Sequence, residues 1–196
     1  MSSNTGLDLT ALEMTAKAIL DAAGRILPAI PSMACTEPRY PSTAVIIKVP
    51  GRCQVSTYTC AVTSTWSIIT ALGFDIPLKE WFRRCHKAGC HPDDGMDIGQ
   101  IRKALKHLKL RVSAKKYEGR IQIRKYIDAS QPLLFGQGRE MFDDGDHWMY
   151  VYGYSGRHVY VGNVVNPAFP ISSKEAWSWA KFESELNPRE LYVINV

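Results

Sequence analysis

Apolar positions recur at helical spacing through the first half of the chain and alternate with polar ones through the second. Leu12, Ala16, Ile19, Ala23 and Ile26 form one stripe, and Thr10 and Glu13 stand at capping-box spacing, which predicts a helix over 10–27. Pro28, Pro31, Pro38, Pro41 and Pro50 then predict an extended connection that runs into a short strand over 44–49. Val62, Trp66, Ile69 and Leu72 share a face and predict a buried helix over 60–72, closed by Gly73. Its many β-branched residues are poor helix formers, so packing must impose the helix. Pro77 opens a further helix that ends near Gly89. Asp97 and Gln100 cap another, with Ile98, Ile101, Leu105 and Leu108 inward and Arg102, Lys103, Lys106 and Lys109 outward.

The second half reads mainly as strands. Residues 110–117 predict a strand, 121–129 a short helix and 132–137 another strand. Residues 147–154 and 158–163 alternate around Ser155-Gly156, a hairpin pattern. Ser173 is read as the cap of a last helix over 174–182, followed by a strand over 191–196. Helices first and antiparallel strands later make the fold class α+β.

Composition narrows this picture. The 196 residues, 45% hydrophobic and 22% charged, are enough for one domain with a substantial core and exclude wholesale disorder. The expected division is an N-terminal helix and proline-rich extension over 1–44 and a main domain over 45–196. No apolar run approaches the ~18 residues of a membrane span. The first residues lack a basic start and an uninterrupted apolar stretch, so the expected location is the cytoplasm, or export without a cleavable signal peptide. Five cysteines, an odd count, suit free thiols better than a disulfide framework. The net charge of +5 is uneven: residues 81–125 carry 13 of the 24 Lys and Arg against four acids, a balance of +9, and the remainder balances at −4. A basic segment admits an anionic partner such as nucleic acid, but the helical spacing of the lysines reads as a solvated face.

Candidate chemistry centres on Cys53-Gln54-Val55-Ser56-Thr57-Tyr58-Thr59-Cys60. Cys60 opens the predicted buried helix, where the positive helix end lowers a thiol pKa. Gln54, six residues earlier, can donate from its amide to an oxyanion beside the Cys60 N–H. Cys53 precedes the helix and lacks such a donor. A thiol nucleophile needs a base and a group that orients it. Among five histidines, His147 opens an aromatic-rich strand after the acidic loop Asp143-Asp144-Gly145-Asp146, and Asn163 closes the partner strand. Strand parity groups His147 with Met149 and Val151, and Asn163 with Val159 and Val161. A three-residue hairpin loop would set Asn163 opposite His147, its side-chain oxygen accepting from the imidazole. A shifted register would promote Asn166 instead.

The order Gln–Cys–His–Asn, with Gly95-Met96-Asp97-Ile98, Pro132-Leu133-Leu134-Phe135-Gly136, His147-Trp148-Met149-Tyr150-Val151-Tyr152-Gly153-Tyr154 and Val159-Tyr160-Val161-Gly162-Asn163, resembles papain-like cysteine peptidases over about residues 45–196. It is similar in particular to the small bacterial branch of bacteriocin leader peptidases and secreted effector proteases. The resemblance implies a nucleophile helix packed on a C-terminal antiparallel sheet. It implies Cys60 as nucleophile, His147 as general base and acid, Asn163 as orienting residue and Gln54 as oxyanion donor, with no cofactor and a peptide or protein substrate. Asn163 stands where the leader-peptidase branch usually has Asp. The same groups would also serve an acyltransferase or transglutaminase-type reaction, and a degenerate member would be a peptide-binding module without activity.

Two other clusters compete. Cys85, His86, Cys90 and His91 are metal-capable, but their spacing matches no common zinc site. Asp143, Asp144 and Asp146 fail the spacing of a calcium loop and read as a surface loop flanking the cleft.

Overall fold

The computed structural model describes residues 37–51, 58–92, 94–137, 147–166, 169–186 and 189–195. They belong to a compact unit that runs from Ala34 to Val196. The predicted helix over 10–27, Cys35, Cys53, Gln54 and the acidic loop 143–146 lie outside the described residues.

After a two-residue strand β1 (Val45–Ile46), three helices follow: α1 (Cys60–Ala71), α2 (Leu78–Ala88) and α3 (Ile98–Lys106). Every residue of α1 from Cys60 to Ile69 is buried, so packing does hold this β-branched helix together. Two of its hydroxyls bond back to the preceding turn: Thr65 Oγ1 donates to the Ala61 carbonyl at 2.6 Å and Thr70 Oγ1 to that of Trp66 at 2.8 Å. α2 ends on Gly89 at φ +118°, a left-handed cap open to glycine. α3 begins with the full capping box of Asp97 and Gln100, and its Arg102, Lys103 and Lys106 face water.

The rest of the chain builds the sheet: β2 (Arg111–Lys116), α4 (Arg120–Asp128), β3 (Leu133–Gln137), β4 (His147–Tyr154), β5 (His158–Asn166), β6 (Phe169–Ser178), α5 (Trp179–Glu185) and β7 (Glu190–Asn195). The order is β2-β7-β3-β4-β5-β6, and every pair is antiparallel. β1 pairs with the far end of β4, Val45 against Tyr154. Residues 169–178 correct the reading of a helix capped by Ser173. They form a strand along the whole of β5, and the last helix starts at Trp179 with Ser178 as its cap. Pairing the edge of a nine-residue strand outweighs the helical preference of Lys174-Glu175-Ala176.

The alternation along β4 divides the core in two. Trp148, Tyr150 and Tyr152 face the α1–α3 layer together with Tyr160 and Tyr192. Met149 and Val151 face α4 and α5 with Val159, Val161, Val193 and Phe182. A lead-in strap crosses the first face. The ammonium of Lys174, whose side chain is 4% exposed, donates to Glu37 Oε1 at 2.6 Å and to the Val49 carbonyl at 2.8 Å, and lies 4.9 Å from the Tyr152 ring centre. The Tyr40 and Tyr152 hydroxyls meet at 3.0 Å. A buried cation held by a carboxylate and a carbonyl thus ties the strap to the sheet.

Candidate active site

Cys60 is the first residue of α1 and His147 the first of β4, and both are buried. Asn163 on β5 joins their two elements. Its Nδ2 donates to the Cys60 carbonyl at 3.1 Å, to Ser64 Oγ at 3.0 Å and to the Trp148 carbonyl at 2.9 Å. Its own carbonyl lies 2.6 Å from His147 Nε2. A carbonyl can only accept, so Nε2 carries the proton and the neutral ring keeps Nδ1 as its basic nitrogen. Cys60, His147 and Asn163 are therefore brought together. Gln54 lies outside the described residues, and Asn166 sits three residues past Asn163, its backbone level with Phe169.

The route to this arrangement differs from the hairpin expected. Tyr150 pairs with Gly162 and Val151 with Val161, which sets Asn163 level with Met149 rather than His147. The register between β5 and β6 also shifts between Gly162 and Val164. Asn163 occupies that bulge at φ +65°, in the left-handed region. The bulge reverses parity: Val164 joins Val159 and Val161 in the aliphatic layer, and the Asn163 side chain turns to α1. The imidazole is consequently met by the Asn163 main chain, not by its side-chain oxygen. Two carbonyls face the amide, so only its nitrogen can point at them. Oδ1, in a residue 3% exposed, has no hydrogen-bond partner among the described residues. Gly162 is required beside the bulge, because a Cβ there would overlap the Tyr150 ring.

Ser64 is a site residue that the sequence reading did not single out. Its Oγ donates to the Trp148 carbonyl at 2.8 Å while accepting from Asn163, so α1, β4 and β5 meet at one hydroxyl. Its place four residues after Cys60, on the same helix face, is the pattern that could have found it. The Gly95-Met96 segment lies beside the residues that lead into Cys60. Trp148 Nε1 donates to the Met96 carbonyl at 2.8 Å, and His91 and Gly95 exchange main-chain hydrogen bonds at 3.0 and 2.8 Å. Gly95, at φ +67°, lies against the Tyr58 backbone, just ahead of Cys60.

The electrostatics of the thiol reverse one expectation. Burial pushes the Cys60 thiol up, against the opposing pull of the backbone groups of Trp148, Ala61 and Cys60 itself. The helix end therefore aims N–H groups at the sulfur without making it a thiolate by itself. Cys85 and Cys90 are also free, buried and raised by burial, Cys90 to about 11. His86 and His91 point to the exposed side while Cys85 and Cys90 are buried in the core. Among the described residues no three metal-capable side chains gather.

The comparisons with known proteins bear on the family and the fold. A sequence model of the Peptidase_C39 like family matches residues 46–187. The structure is similar to a double glycine motif protease from an AMS/PCAT transporter, solved in complex with the leader peptide, at TM-score 0.56 and 16% identity over 76% of this chain and 93% of that one. It is also similar to the peptidase domain of Streptococcus ComA, a bi-functional ABC transporter involved in a quorum-sensing pathway, at TM-score 0.57 and 17% identity over 72% and 94%. The fold is thus the papain-like α+β arrangement, with a helical layer on an antiparallel sheet. No curated protein sequence matches the chain. Among the described residues no helix is long and apolar enough to cross a membrane.

Proposed function

Because the chain belongs to the Peptidase_C39 like family, we propose that it hydrolyses a peptide or protein amide bond through Cys60, His147 and Asn163, with Gln54 as oxyanion donor. The observation that carries this reading is the Asn163 clamp, which holds the start of the Cys60 helix and the start of the His147 strand at one point. His147 Nδ1 takes the Cys60 proton, and the sulfur attacks the scissile carbonyl carbon. The oxyanion forms beside the Cys60 N–H, with the Gln54 amide as second donor. Protonated His147 then gives its proton to the leaving amine, and water releases the acyl group with His147 as base. The raised thiol fits a nucleophile that ionises by passing its proton to His147, as the imidazolium forms, rather than through the helix end alone.

The test is turnover of a peptide library read by mass spectrometry, beside alkylation by iodoacetamide. Cys60→Ala and His147→Ala each lower turnover by about 10⁴-fold or more. In the native chain Cys60 is alkylated at neutral pH while Cys85 and Cys90 are spared. Turnover that survives Cys60→Ala would sink the proposal.

A further inference from the structure

The lysines at the C-terminal end of the basic segment take no part in the site just described, and the fold gathers three of them into a groove. β2 is the edge strand of the sheet, separated from β4 by β7 and β3. Tyr117 N–H donates to the Arg189 carbonyl, which fixes the phase of the ladder: Arg111, Ser113 and Lys115 turn their main-chain groups to β7, and Val112, Ala114 and Lys116 turn theirs outward. One outward group, the Lys116 carbonyl, accepts from Gln122 Nε2 at 2.9 Å. Between this end of β2 and the first turns of α4 lies an open groove of about 410 Å³. Lys115, Lys116 and Lys125 line it, all exposed, and none makes an ion pair among the described residues. Glu118 is the one acid on the groove. Ile121, on its wall, is 82% exposed, the most exposed large apolar side chain among the described residues.

We propose that this groove and the outer edge of β2 dock an extended, acidic polypeptide segment, which adds a strand to β2 and lays carboxylates on Lys115, Lys116 and Lys125. Free N–H and C=O groups on an edge strand supply the main-chain affinity of such a contact, and the flanking side chains supply its selectivity. Three unpaired ammonium groups against one carboxylate select acidic residues. Ile121 offers an apolar contact between the charges. Lysines on an edge strand also serve to keep sheets from pairing, but that purpose needs neither a concave wall nor an isoleucine left in water. The surface is remote from Cys60, and its occupancy does not rest on the catalytic reading.

The experiment uses the full chain carrying Cys60→Ala, so that binding is read without cleavage. The probe is a fluorescent seven-residue peptide of alternating Glu and Val, followed by anisotropy. Binding is saturable, and Lys115→Glu with Lys125→Glu weakens it by about tenfold or more. Arg102→Glu with Lys103→Glu, the same charge change on exposed α3, leaves it within about twofold. The same peptide N-methylated at alternate amides binds about tenfold more weakly, as strand addition requires. No saturable binding, equal loss in both charge-reversal pairs, or undiminished binding of the methylated peptide overturns the proposal. So does preferential binding of oligothymidylate or phosphatidylserine vesicles through the same lysines.

Discussion

The two faces of the sheet are built from different chemistry. The face under α4 and α5 is almost purely aliphatic and aromatic: Met149, Val151, Val159, Val161, Leu191, Val193 and Phe182. The face under α1 meets polar groups in its interior: Thr63, Ser64, Thr65, Ser67 and Asn163 are all buried. Both exclude water, but only the second needs directed hydrogen bonds to do so. An aliphatic layer tolerates small shifts because dispersion has no preferred direction. The polar layer fixes α1 against β4 and β5 by distance and angle, which is the requirement of a reaction between groups on separate elements. One face therefore supplies stability and the other supplies geometry.

This contrast can be broken from either side. Phe182 is fully buried and packs edge-to-face on Phe135 at 5.1 Å and Tyr117 at 5.9 Å. Phe182→Ala is expected to cost about 3–5 kcal/mol in urea unfolding, while the folded fraction keeps its Cys60 alkylation rate. Loss of that rate in folded protein would show that the faces are not separate. Asn163→Asp keeps the shape but sets an oxygen against the Cys60 and Trp148 carbonyls. It is expected to cost about 2–3 kcal/mol and to lower turnover by more than tenfold (roughly 1.4 kcal/mol of activation free energy). Stability and turnover equal to those of the parent would mean that the amide is not the clamp. Ser64→Ala removes one shared hydroxyl. A loss of about 1–2 kcal/mol should accompany a fall in kcat with KM little changed, and Ser64→Thr should restore part of it. A change in KM alone would place Ser64 outside the reacting geometry.

The smallest effect is on pH dependence. A buried thiol keeps its proton in the native state, and the unfolded chain gives it up above the ordinary thiol range. The stability it contributes is complete below that range and is lost as pH rises through the native pKa. For Cys90 this window runs from about 9 to about 11. Thermal unfolding should decline with pH more gently across it in Cys90→Ala than in the parent chain. Parallel curves would mean that Cys90 ionises as readily folded as unfolded.

Local rules carried most of this fold. The α1 stripe, the Asp97–Gln100 capping box, the Gly89 cap and the β4 alternation all depend on residues a few positions apart, and each stands where its pattern puts it. β6 was not legible because Lys174-Glu175-Ala176 suits a helix, and only the waiting edge of β5 makes it a strand. Of the candidate site, the places of Cys60 at a helix start and His147 at a strand start were legible, since both are sequence features. Its wiring was not. Alternation is a period-two rule, and one extra residue in a bulge inverts every parity argument beyond it. The upward shift of the thiol was not legible because the helix end is a local feature, whereas the Trp148 strand that meets the sulfur lies far away in sequence.

The bulge also narrows the alphabet available at its own position. A left-handed backbone admits glycine and, among residues with side chains, asparagine and aspartate most readily. The carbonyls that converge there demand a donor, which removes aspartate and glycine. Glutamine and serine can donate, but neither settles easily at φ +65°. Two unrelated requirements, one of backbone shape and one of proton count, intersect on a single amino acid. A designer who wishes to exchange Asn163 must therefore first delete the extra residue from β5 and only then choose the new side chain.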